Sequence, residues 1–204
     1  VTGSPKRSAS AALAAQAAAA AFFFALGAGP APAADPEPAK SQACTACHGP
    51  GGRSQDPNVP SLAGQPRQFI ETQLVMFREG NRKNAAMSPF TAGLTNAELR
   101  ELAGYFSTQQ AAPPGRTVSA EAAASARIVA DKFNCTSCHG AALMGQQHIP
   151  RLAGQQAEYL RAQLRGFKAS TRFDMDGQMT SAAQALGAGD IDALADYLAS
   201  LGSP

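Results

Sequence analysis

The pattern C-x-x-C-H occurs twice, as CTACH from Cys44 and as CTSCH from Cys135. All four cysteines of the chain fall in these two units: Cys44, Cys47, Cys135 and Cys138. His48 and His139 complete them, and only His148 stands outside. Whatever the chain folds into must present two identical sulfur–sulfur–nitrogen constellations. The flanking sequence repeats as well. Pro60 opens PSLAGQ and Pro150 opens PRLAGQ, an offset of 90, and the register continues with Phe69 on Tyr159, Gln73 on Gln163, Leu74 on Leu164 and Phe77 on Phe167. With two extra residues in the second copy, Met87 then meets Met179, Leu94 meets Leu186, Leu102 meets Leu194 and Tyr105 meets Tyr197. This is an internal duplication.

The duplication divides the chain. The expected parts are a leader over residues 1–34, a first domain over 35–112, a linker over 113–118 and a second domain over 119–204. Pro113, Pro114 and Gly115 end whatever helix precedes them, as an interdomain linker requires. Each unit is near the size at which side chains alone make a marginal core, so a group from outside the chain has a structural part to play. The leader begins with Lys6 and Arg7, passes through AALAAQAAAAAFFFALGAG and ends in PAPAAD. A basic start, an apolar middle and small residues at Ala31 and Ala33 are the pattern of a secretory signal cut near Ala33 or Ala34. The competing reading, a retained membrane anchor, fits less well because the run is alanine-rich, carries Gln16 and stops at Gly29 and Pro30.

Of 17 basic residues, Lys6 and Arg7 lie in the leader, and the remaining 15 face 15 acidic ones. A formally neutral chain lacks the surplus of lysine and arginine that meets phosphates, so nucleic acid is not expected as a partner. The hydrophobic spacing is helical throughout. Phe69, Ile70, Leu74 and Phe77 recur at helical intervals until Gly80, and Thr95 with Glu98 forms a capping box ahead of Leu99, Leu102, Ala103 and Phe106. The second copy predicts the same helices over 156–169 and 190–201, and SAEAAASARIVADKFN adds one before Cys135. Pro36 and Pro38 leave little room for a counterpart of that helix before Cys44. No strand alternation of useful length appears, so the fold class is all-α.

Two cysteines three positions apart can each form a thioether to one vinyl group of a haem, and the next histidine then reaches the iron; this is the c-type attachment signature. A thioredoxin-like pair needs a βαβ setting that is absent. Zinc needs four ligands, which each copy lacks unless the two share one ion. A disulfide across each pair would not require the histidine. Two haem c groups are therefore expected, bound at Cys44, Cys47, Cys135 and Cys138, with His48 and His139 as axial ligands.

The alignment proposes the opposite axial ligands, Met87 and Met179, both expected in polar loops after the long helix. A thioether opposite histidine favours reduced iron and raises its potential. Met76 and Met144 have no counterparts and read as core. Met175, four residues before Met179, competes with it for the second site. His148 aligns with Asn58 and reads as a surface residue. Pro60 and Pro150 follow the histidines at similar distances, and a proline carbonyl can accept the Nδ1 proton of the ligand. Arg82 and Arg172 precede the methionines, where a guanidinium could pair with a haem propionate or simply be solvated.

With both attachment motifs, PSLAGQ and PRLAGQ, and both methionines in view, the chain resembles the cytochrome c4 family over residues 40–204. The resemblance implies two tandem class I cytochrome c domains, each wrapped around one covalently attached haem. It implies axial pairs His48 with Met87 and His139 with Met179. It further implies a periplasmic electron carrier, in some members in loose membrane association. Electrons would pass from a quinol-oxidising complex or dehydrogenase to a terminal oxidase. The shortened N-terminal helix of the first copy departs from the family pattern. Two other settings bear on the same motifs. A di-haem peroxidase would need a displaceable axial position, which a matched methionine in each copy argues against. The cytochrome subunit of a flavin-dependent sulfide dehydrogenase remains compatible with the sequence.

Overall fold

The computed structural model describes residue 1 and residues 37–202, so the leader expected over 1–34 lies, but for Val1, outside the described residues. Among the described residues the chain is helical, with one isolated bridge between Gln146 and Ile149 and no strand. The first copy contains α1 (Ser41–His48), a 3-10 turn at Pro50–Gly52, α2 (Arg67–Arg78), α3 (Met87–Thr91) and α4 (Asn96–Thr108). The second contains α5 (Ala120–Lys132), α6 (Cys135–His139), α7 (Ala157–Lys168), α8 (Gln178–Gln184) and α9 (Ala188–Ser200). Between α4 and α5 the chain runs without helix. No described helix is long and apolar enough to cross a membrane.

Each copy packs its own core. In the first, α2 lies against α4, and Ile70 and Leu74 meet Leu99, Leu102, Ala103 and Phe106. The capping box at Thr95 forms in full: its hydroxyl accepts from Glu98 N–H and the Glu98 carboxylate accepts from Thr95 N–H. In the second copy, α7 packs on α8 and α9, and Leu160 and Phe167 meet Ile191, Leu194 and Leu198. Helix α5 covers α9 there, burying Ala126 and Ala130. Among the described residues the first copy has no such helix. The chain enters α1 directly from Pro38, whose carbonyl accepts from Ser41 N–H at 2.9 Å.

The repeated glutamine of P-x-L-A-G-Q joins the copies. Gln155 Oε1 accepts from Ser61 N–H at 2.8 Å, and its Nε2 donates to the Ser61 carbonyl at 2.9 Å. Reciprocally, Gln65 Oε1 accepts from Arg151 N–H at 3.0 Å and its Nε2 donates to the Arg151 carbonyl at 2.9 Å. Both amides are buried. Each copy thus reads the backbone of the residue that follows the other copy's proline, in the self-complementary manner of a two-fold interface. A buried amide with both ends paired avoids the penalty of unsatisfied polar atoms, and it satisfies two buried backbone groups at once.

Candidate haem sites

Helix α1 carries Cys44, Cys47 and His48 on consecutive turns, and α6 does the same for Cys135, Cys138 and His139. Both histidines are buried, at 5% and 4% exposure. His48 Nδ1 donates to the Pro60 carbonyl at 2.7 Å, and His139 Nδ1 to the Pro150 carbonyl at 2.8 Å. A carbonyl can only accept, which fixes the ring proton on Nδ1 and leaves the Nε2 lone pair free. Burial pulls both imidazoles below their ordinary pKa, outweighing the opposing effect of the proline bond. Neutral imidazoles with an uncommitted Nε2 are the form that binds a metal. No disulfide joins the cysteines; burial pushes the Cys44 and Cys135 thiols up, while Cys47 and Cys138 are exposed.

One continuous cavity of about 1120 Å³ connects the two sites. Its lining includes Cys44, Cys47, His48 and Met87 of the first copy and Cys135, Cys138, His139 and Met179 of the second. Met87 and Met179 are half-buried against the cores of their copies. The structure differs from the sequence expectation in one respect: both methionines stand at the start of short helices, Met87 first in α3 and Met179 second in α8. Side-chain caps explain this. Asn84 Oδ1 accepts from Ala86 and Met87 N–H at 3.0 and 2.9 Å. Asp174 accepts from Met179 N–H at 2.8 Å, Thr180 N–H at 3.0 Å and the Thr180 hydroxyl at 2.7 Å. Burial raises the Asp174 carboxyl, but these hydrogen bonds outweigh it and leave the group below its ordinary value.

Met175 is 76% exposed, His148 is exposed, Met76 is buried and Met144 packs against the core. Arg82 and Arg172 converge between the copies. Arg82 donates to Gln73 at 2.6 Å, Tyr159 at 3.2 Å and Gln163 at 3.0 Å, while Arg172 donates to Gln163 at 2.6 Å. Their guanidinium carbons lie 4.5 and 4.4 Å from the ring centres of Phe77 and Phe167. Burial holds the Arg172 guanidinium down to about 10. Its Nε is buried without a hydrogen-bond partner. An unpaired donor beside an apolar-walled cavity calls for an anion, and a haem carries its carboxylates on one edge of an otherwise apolar ring. The residues present therefore fit the group that the motifs imply.

Sequence reasoning missed the cross-copy glutamines, Tyr159 and the fully buried Arg151, which donates to the Ala63 carbonyl at 3.0 Å. The signal for the glutamines was present: a polar residue kept in both copies of an apolar motif.

Residues 122–202 match the family model described as Cytochrome c, and residues 31–106 match that described as Cytochrome C oxidase, cbb3-type, subunit III. Cytochrome c4 of Thiocapsa roseopersicina is 35% identical over 181 residues, covering 82% of this chain and 93% of that protein. The thiosulfate dehydrogenase electron acceptor of Thiomonas intermedia is 34% identical, covering 79% and 80%. The crystal structure of reduced recombinant cytochrome c4 from Pseudomonas stutzeri superposes with a TM-score of 0.72 at 29% identity, covering 79% of this chain and 96% of that one. Helical fold, duplicated C-x-x-C-H and matched models together define a c-type cytochrome with two haem c groups. Within that class the chain belongs to the cytochrome c4 family, whose members are electron-transfer proteins rather than enzymes.

Proposed function

We propose that this chain is a periplasmic carrier that takes electrons from a quinol-oxidising complex or dehydrogenase and delivers them to a terminal oxidase. The observation that supports it is the same in both copies: a neutral, proline-anchored histidine and a methionine line one cavity. With a histidine and a methionine of each copy holding its iron, the chain would leave no place for a small substrate, and electrons would cross at the surface. When bound, the haem iron would supply one-electron storage. In this reading Cys44, Cys47, Cys135 and Cys138 anchor the groups covalently, and His48, Met87, His139 and Met179 hold the irons. Pro60 and Pro150 orient the histidines, and Arg82 and Arg172 face the propionates. Rigid ligands keep rearrangement small when charge changes.

Met179→Ala should abolish the methionine-to-iron charge-transfer band of one haem and spare the other. An unchanged spectrum would instead promote Met175. For the partners, reduced holoprotein added to respiratory membranes of its host should be reoxidised at a rate that cyanide suppresses at least tenfold. Cyanide-insensitive reoxidation would exclude a haem-copper oxidase as the acceptor.

A further inference from the structure

The segments that lead into the two methionines differ in charge. Asn81 to Met87 carries Arg82 and Lys83 and no acid; Thr171 to Met179 carries Arg172, Asp174 and Asp176. The charged residues lining the shared cavity are these five and Arg151. Three of the six do not set the copies apart: Arg82 and Arg172 are aligned, one in each copy, and Arg151 bonds across them. Arg82 and Arg172 both donate to Gln163, and Arg151 reaches from the second copy to the Ala63 carbonyl of the first. Lys83 and Asp176 are exposed, so water and salt screen them. Asp174 remains. It is half-buried, held by three donors, and bonded to the backbone of Met179 itself. The aligned residue of the first copy, Asn84, makes the same kind of cap without a charge.

We propose that Asp174 makes the haem of the second copy the lower-potential centre, so that the single electron of a half-reduced molecule rests on the first copy. The inference depends on the methionine ligation argued above. A fixed negative charge beside an iron favours the ferric state, which carries one more positive charge, and so lowers the potential; burial strengthens the effect. Asp174 is a positioning residue that acts on the iron through space and through the segment bearing Met179. Lys83 and Asp176 push in the same direction more weakly.

The test is an optical redox titration of the holoprotein, comparing wild type with Asp174→Asn and Asn84→Asp. Each variant keeps an acceptor oxygen for the cap. Asp174→Asn should raise the lower of the two waves, shifting the distribution of the shared electron by about tenfold, or ~59 mV for a one-electron couple. Asn84→Asp should lower the upper wave by a similar factor. Asp174→Asn raising the upper wave, Asn84→Asp lowering the lower one, or both variants leaving the waves in place would overturn the assignment. These results are read only from protein showing two haems and two methionine bands. Absence of those bands in wild type would count against the functional reading and not against the role of Asp174.

Discussion

In the first copy the chain runs from Ser41 to His48 as one helix, whereas in the second Asn134, at φ 53°, breaks α5 from α6 immediately before Cys135. The connection from histidine to proline spans 12 positions in the first copy and 11 in the second. The first route turns on Gly49, Gly51 and Gly52; the second uses Leu143 and Gln147 in the left-handed region, with Gly145 where a Cβ would meet the Pro150 carbonyl carbon at 2.4 Å. Yet Gly52 and Leu143, each four residues after its histidine, do the same work. The Gly52 carbonyl accepts from Leu62 and Ala63 N–H, and that of Leu143 from Leu152 and Ala153 N–H. The histidine side of each site depends on backbone groups, so different side chains reach one geometry. The methionine side depends on a side-chain cap, Asn84 or Asp174, and there the copies have diverged in charge.

Among the described residues the largest structural difference is α5, and a buried charge would break it. Ala126 is 1% exposed on the face of α5 that packs on α9. Ala126→Asp places a carboxylate there without a partner, and should destabilise the second copy by about 4 kcal/mol. Denaturant unfolding of the holoprotein, followed at the haem bands, should show one transition displaced and the other kept. A variant as stable as wild type would mean that α5 does not brace the second copy, and the contrast with α1 would lose its meaning.

Long amphipathic helices were legible because burial of one face imposes a 3.6-residue period on the sequence: α2, α4, α5, α7 and α9 all follow apolar residues read from that period. The constellation around each histidine was legible for a different reason. Cys, His and Pro are chemically singular, and the duplication marks which of them belong together. Helices α3 and α8 were not, being five and seven residues long, too short for a period. Their starts depend on Asn84 and Asp174, whose capping role exists only once the preceding segment has turned back. Arg151 is the sharpest case. An arginine aligned with Ser61 reads as surface, yet it is 1% exposed because its environment is supplied by the other copy. Contacts across a duplication leave no periodic trace within either half.

The glutamine clasp carries the smaller structural effect and sharpens the comparison from its symmetric side. Gln65→Ala would leave the buried Arg151 N–H and carbonyl without their partners, and Gln155→Ala would do the same to Ser61. At about 1–3 kcal/mol per orphaned group, reduced where water enters, each change should cost about 2–3 kcal/mol of interface stability. The two costs should not be equal. Gln155 Oε1 also accepts from Gln156 N–H, and Gln156 Nε2 donates to the Ser54 carbonyl at 2.6 Å. The residue aligned with Gln156 is Pro66, which has neither donor. Losing Gln155 therefore loosens a neighbouring cross-copy bond that Gln65 does not support, and Gln155→Ala should be the more damaging of the two. Hydrogen exchange at Ser61 and Arg151 N–H reads each half of the clasp separately. Equal protection losses would make the interface symmetric in energy as well as in form; loss confined to the Gln155 side would show that the second copy holds the first.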